Sequence, residues 1–451
     1  MAAPAARPAP VPQLQVRSAA KWSAEVGESC DRQVVRWAPY LLPNAFLRVL
    51  GGSGSGKTVL LRSIYLQAAS AVAVVALDFH GDLSASGAQS YAIGTGHTVN
   101  PLALASVDKL EGGPVRQAEV LVSAAKRAVK ALGHQQLHTL RLAIAAAYKA
   151  AGVLQERPET WTRTAPTMST VISLVEKQAK EKATAKSAGG LLAALGNTFA
   201  RAFRPELAQV PLAKLLQTGA RLELQKIGRE EQVVVAETVL LQIFEALRVK
   251  GPAESMRVLL ILDEASIVSG SEVLDTILRE GRKFGLGAVI AAQQTTDFSK
   301  AVAANAAATV VMATNTATEA RKFAREVGAT VQQIQALPTP GGAFFRTRET
   351  VQLRVVPVLI PAREKVAFFV GSASFTRLKT ASDTSRGSPT TSQALPVQTR
   401  NSPSAASVAS LPATRVSHGP AHRAWMATIP PYMKKPIGTL RTKTGCRRIS
   451  R

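Results

Sequence analysis

Acidic residues are scarce in this chain: of 451 residues, 30 are Asp or Glu against 55 Lys or Arg, a formal net charge of +25. That imbalance disfavours cationic partners and favours a polyanion, either nucleic acid or an acidic membrane surface. Cysteine is scarcer still. Cys30 and Cys446 lie near opposite ends, which excludes a disulfide framework or a zinc-ligand spacing and fits a reducing compartment. No run of 18 uncharged apolar residues occurs, so no membrane span is expected. The proline-broken start "MAAPAARPAPVPQ" also lacks the apolar stretch of a signal peptide. These absences predict a soluble, cytoplasmic protein, and a hydrophobic content of 46% is ample for one large core.

Much of the positive charge falls outside the expected core. From residue 380 onward there are eleven Lys and Arg against Asp383 alone, among many Ser, Thr and Pro. Such a segment buries too little apolar surface to order itself, so 380–451 reads as a disordered basic tail. Order is expected from about Asn44, which leaves 1–43 as an N-terminal extension and 44–379 as the folded domain. Residues 115–205 read as a mostly helical insertion, with Leu121, Ala125, Val129 and Leu132 on one apolar stripe and Leu140, Ile144 and Tyr148 on another. His134 and His138 stand four apart on that helix, a spacing that suits a metal, but no third ligand accompanies them. The run "EKQAKEKATAK" (176–186) reads as a solvated helix face.

The apolar run "AFLRVLG" reads as a buried strand and "KTVLLRSIYLQAA" has helical spacing. Between them "GGSGSGKT" matches the phosphate-binding loop GxxxxGK[ST] over Gly51, Gly52, Ser53, Gly54, Ser55, Gly56, Lys57 and Thr58. The glycines let successive N–H groups face a phosphate, Lys57 reaches the β- and γ-phosphates, and the Thr58 hydroxyl is a ligand for Mg²⁺. Two further strands follow. "AVAVVALDFHGDL" places Asp78 at the end of a β-branched run, and "MRVLLILDEA" ends in Asp263 and Glu264. An apolar strand ending Asp-Glu is how Walker-B ATPases set one carboxylate near Mg²⁺ and another beside the attacking water. Asp263 is therefore expected in the metal shell and Glu264 as the group that polarises water.

"GLGAVIAAQ" reads as a further parallel strand that ends on Gln293. Ligands of open α/β sheets lie outside the carboxyl ends of the strands, which puts Gln293 where a γ-phosphate or its water would be.

The ordered series "GGSGSGKT", "LDFHGDL", "NPL", "LLILDEA", "REGRKFGLGAVIAAQ" and "GGAFFRTR" resembles the HerA/FtsK superfamily of P-loop ATPases over roughly residues 44–360. The resemblance implies an α/β, RecA-like P-loop NTPase fold of the ASCE type, with an extra strand between the Walker strands. It implies ATP and Mg²⁺ as cofactors, a homo-hexameric ring, and ATP-driven movement along DNA. By the same resemblance Gln293 is a sensor-like glutamine. Arg282 is then a candidate arginine finger, expected at the active end of the sheet and reaching the γ-phosphate of the neighbouring subunit, with Arg279 or Lys283 as alternatives for that role. Residues 1–43 are too short for the β-barrel that precedes the motor in cellular HerA, and Gln294 stands where the FtsK branch often has arginine. The expected function is an ATP-hydrolysing ring motor on double-stranded DNA, with a nuclease, relaxase or capsid protein as conceivable partner. The alternatives are a P-loop ATPase that acts as a nucleotide switch in a protein assembly, and a binding protein whose tail coats nucleic acid.

Overall fold

The structure is a computed structural model and describes residues 21–84, 88–104, 112–181, 185–198 and 202–356. The tail expected over 380–451 lies outside the described residues.

In chain order the strands of the main sheet are β1 (Ala24–Ser29), β2 (Val34–Trp37), β3 (Phe46–Leu50), β4 (Ala73–Asp78) and β5 (Ser90–Ala92). After a two-stranded parallel pair, β6 (His97–Thr98) and β7 (Ala208–Gln209), follow β8 (Gly219–Glu223), β9 (Val258–Leu262), β10 (Leu286–Ala292), β11 (Ala308–Met312), β12 (Gly342–Arg346) and β13 (Thr350–Arg354). The eleven strands lie in the order β2-β1-β13-β12-β11-β3-β10-β9-β4-β8-β5. From β11 to β5 every pairing is parallel, and from β12 to β2 every pairing is antiparallel.

The parallel strands read as near-continuous apolar runs because both faces are covered. On β3, Phe46 and Leu50 enter one apolar layer while Leu47 and Val49 enter the other. Arg48 breaks the run, yet it is only 3% exposed. Its charge is matched by an ion pair with Glu326, and its guanidinium lies 5.7 Å from the ring centroid of Phe298.

β10 lies between β3 and β9, so an extra strand does separate the two Walker strands. Register fixes what this means for the site. Ala292 sits opposite Leu50, Ile290 opposite Leu262, and Leu262 opposite Leu77, which brings the carboxyl ends of β3, β10, β9 and β4 to one edge.

Order begins earlier than the expected boundary at Asn44. β1 pairs with β13, Glu28 facing Arg354, and β2 pairs with β1, Ala24 facing Trp37. Trp22 and Trp37 close this ribbon edge to face, with ring centroids 5.6 Å apart. The segment 24–37 thus belongs to the main sheet.

The helices are α1 (Lys57–Ala68), α2 (Gly113–Ala128), α3 (His134–Ala150), α4 (Met168–Ala179), α5 (Ala185–Thr198), α6 (Leu212–Gln217), α7 (Arg229–Val249), α8 (Glu272–Glu280), α9 (Lys300–Asn305), α10 (Ala317–Val327) and α11 (Val331–Gln335). Helices α2 to α5 form the insertion. They bury Leu121, Ala125, Leu140, Ile144 and Tyr148; of the rest of the first expected stripe, Leu132 is buried but Val129 is only partly so, and both lie beyond the end of α2, while the Tyr148 hydroxyl donates to the Leu102 carbonyl at 2.6 Å. His134 and His138 are exposed, and no cluster of three or more metal-ligating side chains occurs among the described residues. No helix there is long and apolar enough to cross a membrane.

Candidate active site

The chain leaves β3 at Leu50 and enters α1 at Lys57, and the loop between is bonded to three neighbours. Gly51 N donates to the Ala292 carbonyl (3.2 Å), Gly52 N to the Ala313 carbonyl (2.8 Å), and Gly341 N to the Ser55 carbonyl (2.9 Å). Gly54 and Gly56 take φ of 72° and 106°, the left-handed region where side chains are strained, so glycine is required there for this curvature. α1 starts on Gly56 with no side-chain cap and no acidic residue in its first turn. Its first N–H groups therefore carry no anion from the protein, which is the condition for taking a phosphate.

Lys57 Nζ lies across the loop, 2.8 Å from the Gly51 carbonyl and 2.9 Å from that of Gly52. Burial pushes its pKa below the ordinary lysine value, against the opposing pull of the Glu264 carboxylate. A partly desolvated ammonium beside a row of open N–H groups fits a polyphosphate better than any neutral ligand.

Asp78 ends β4 and is fully buried. Its Oδ1 accepts from Gly81 N (2.7 Å) and Asp82 N (3.1 Å), and its Oδ2 accepts from Leu83 N (3.1 Å) and the Arg221 guanidinium (2.9 Å). Asp78 thus organises the turn that carries Phe79 and His80. That turn meets Asp263 at the end of β9: Phe79 N donates to Asp263 Oδ1 at 3.0 Å, and His80 Nδ1 lies 3.3 Å from Oδ2. Burial raises the Asp263 pKa, opposed by these two hydrogen bonds. His80 is raised in turn, chiefly by its bond to Asp263.

Glu264 is 7% exposed. One oxygen accepts from Ser266 N at 3.2 Å, which starts a short 3-10 turn, and the other lies 3.3 Å from Gln293 Nε2. Gln293 is thus where the strand order predicts it, at the carboxyl end of β10 and beside the acidic pair. Glu264 and Gln293 share a cavity with His80, Arg229, Gln294 and Asp297. Of the two residues expected to hold Mg²⁺, Thr58 lies in the first turn of α1 and Asp263 follows β9. With no protein-only metal cluster nearby among the described residues, a small dication would have to complete its shell with phosphate oxygens and water.

Arg282 is not at this end. It sits in the 3-10 turn Gly281–Phe284 that leads into β10, so the whole seven-residue strand, about 20 Å, separates it from Gln293. Its guanidinium donates to the Pro43 carbonyl and lines a second cavity with Trp22, Tyr40, Met256 and Leu286. The expectation that it lies at the active end is overturned, because a residue that enters a strand and one that leaves it stand at opposite edges of a sheet. His80, Asp297 and Glu319 are site neighbours that sequence reasoning missed. "LDFHGDL" stood out as a motif, but nothing in its spacing shows that the histidine turns back onto Asp263.

No family model and no curated protein matches this chain. Solved structures do. VirB4 of Thermoanaerobacter pseudethanolicus superposes with a TM-score of 0.60 at 13% identity, over 74% of this chain and 96% of that one. The bacterial conjugative coupling protein TrwBdeltaN70, in an unbound form, gives 0.52 at 17% identity, over 71% and 86%. The plasmid coupling protein TrwB in complex with ADP and Mg²⁺ gives 0.50 at 17%, over 71% and 87%. At these identities the likeness is one of fold. The fold is that of a RecA-like P-loop NTPase.

Proposed function

We propose that this chain is a Mg²⁺-dependent ATPase that moves or remodels double-stranded DNA as a ring, in the simplest case a homo-hexamer. The observation that carries the reading is a buried carboxylate, Glu264, held by Ser266 N and Gln293 within electrostatic reach of Lys57. Water attacks the γ-phosphorus, the bond to the β–γ bridging oxygen breaks, and ADP leaves. Glu264 orients that water and takes its proton, while Lys57 and the N–H groups of the loop balance the charge on the phosphoryl oxygens. Mg²⁺ supplies further neutralisation of the phosphates when bound, and Thr58 and Asp263 are the residues assigned to hold it.

A net charge of +25 favours nucleic acid as the partner, and TrwB, which shares the fold, is a plasmid coupling protein. Arg282 keeps the role that the motif resemblance implies, at a neighbouring subunit's nucleotide; the length of β10 sets it too far from Gln293 for direct contact with its own. The test is ATP turnover by the purified chain and by Glu264→Gln, with and without double-stranded DNA. Turnover that is lost in Glu264→Gln and raised by DNA in the unaltered chain supports the reading. Turnover indifferent to DNA favours a nucleotide switch in a protein assembly.

A further inference from the structure

Gln293 is exposed and is followed by a short turn, so its aim at Glu264 depends on what fixes that turn. Asp297 Oδ2 accepts from Gln294 N at 3.0 Å, which closes the turn on itself. The bond to the rest of the molecule is made by Glu319, in the first turn of α10. Its Oε2 accepts from Thr295 N (3.1 Å) and Thr295 Oγ1 (3.3 Å), and its Oε1 pairs with Lys322 Nζ at 2.7 Å.

A carboxylate in the first turn of a helix is ordinarily explained by the helix itself, through its open N–H groups and dipole. Here both oxygens have partners elsewhere: one on a turn 24 residues earlier in the chain, the other on the next turn of the helix. Glu319 is 8% exposed, and a carboxylate that is nearly buried needs such partners.

α10 is in turn docked on the phosphate loop's own strand. Its far end carries Glu326, which pairs with Arg48 of β3, and Arg48 lies against Phe298 just beyond the turn. The segment that leads into α10 holds the loop directly, through the bond from Gly52 N to the Ala313 carbonyl. The turn after Gln293 and the phosphate loop therefore share one support.

We infer that Glu319 is a positioning residue for hydrolysis: by binding Thr295 it holds the turn so that Gln293 meets Glu264 in register with the phosphate loop. The inference rests on the ATPase reading above. Displacing a group by about 1 Å is enough to lower turnover by as much as a hundredfold without contact with substrate.

The experiment is a double-mutant cycle on the full chain, with kcat, ATP affinity and thermal stability measured for each protein. Glu319→Ala should lower kcat about tenfold and change ATP affinity by less than about twofold. Glu319→Gln, which keeps an acceptor for Thr295, should recover most of the loss. Lys322→Ala, which leaves the Thr295 bonds intact, should stay near the parent. On a Gln293→Ala background, Glu319→Ala should cost less than about a further twofold, because the residue through which it acts is gone. The same factor on both backgrounds, or a loss of ATP affinity that matches the loss of kcat, would overturn the inference. If Glu319→Ala does not fold, Glu319→Asp replaces it in the cycle, since it keeps the charge but draws the carboxylate back from Thr295. The unaltered chain and Glu264→Gln are run alongside. If those two do not differ, the ATPase reading falls and this inference with it; if they differ and the cycle is additive, only the inference falls.

Discussion

Gln293 Nε2 stands 3.3 Å from Glu264 Oε2, and Ser266 N stands 3.2 Å from the other oxygen of the same carboxylate. The carboxylate is thus held at both oxygens, by a backbone donor on one side and a side-chain amide on the other. Glu264→Gln keeps the size of the side chain and one acceptor but cannot take a proton. ATP affinity should be retained while kcat drops on the order of a hundredfold or more. Equilibrium binding together with steady-state turnover checks this, and a fully active Glu264→Gln protein would remove Glu264 from the chemistry.

Lys57 should behave differently. Its ammonium sits on the loop's own carbonyls and is partly desolvated, so it is placed to exchange those partners for phosphate oxygens. Lys57→Ala removes charge-assisted bonds of about 1.5–3 kcal/mol, which corresponds to a loss of ATP affinity of at least about tenfold, and turnover should fall with it. Calorimetric titration with ATP separates this from the Glu264 case. Unchanged affinity would mean that the loop holds nucleotide without its lysine.

Asp78 carries a stability prediction. It is fully buried and accepts from three backbone N–H groups and Arg221. Asp78→Ala leaves those N–H groups unsatisfied and the Arg221 cation short of a partner, at a cost of about 3–5 kcal/mol. Arg221→Ala should cost less, because Arg221 also pairs with Glu223 and its side chain is 13% exposed. The midpoints of urea unfolding for the two variants give the comparison. A loss for Asp78→Ala of less than about 1 kcal/mol, the size expected of an ordinary surface change, would contradict the reading.

How much of this was legible in the sequence depends on the range over which each feature is encoded. The phosphate loop and both Walker strands are local: apolar runs, glycines and terminal carboxylates lie within a few residues of one another, and the structure places them at one edge. The segment 24–37 was missed because what makes it strand is Arg354 facing Glu28, a partner 326 residues away that no local periodicity reports. Arg282 was misplaced for a geometric reason, since proximity in sequence to Gln293 hides the length of strand between them. His80 and Glu319 act through contacts across 183 and 24 residues, and only the folded sheet brings these together. Arg48 shows the converse, a charge in a strand that was rightly read as buried, made tolerable by Glu326 from a distant helix.

The basic tail carries a prediction about DNA. Eleven cations on one segment should bind by counterion release and make affinity fall steeply with salt. Removing residues 380–451 should flatten the slope of log K against log salt while basal ATP turnover persists. An unchanged slope would put the DNA surface in the folded domain.

Arg282 makes the ring testable. It is exposed, it lies at the amino end of β10, and about 20 Å of strand separates it from Gln293, so a direct part in hydrolysis at its own site is out of reach and one at another subunit's site is what remains to test. A guanidinium that stabilises charge in the transition state raises kcat and contributes little to ground-state binding. Arg282→Ala should therefore lower turnover and leave ATP affinity nearly unchanged. Its bond to the Pro43 carbonyl offers a purely structural alternative, under which Arg282→Ala would lower thermal stability in step with activity. Subunit mixing decides between them. Arg282→Ala keeps its own phosphate loop, and Lys57→Ala keeps its arginine. If the arginine acts in trans, mixed rings contain interfaces in which an intact loop meets an intact arginine, and their activity should exceed the sum of the two variants measured apart. Additive activity in rings shown to be mixed would exclude the trans role, and Arg279→Ala and Lys283→Ala would then be tested in the same way.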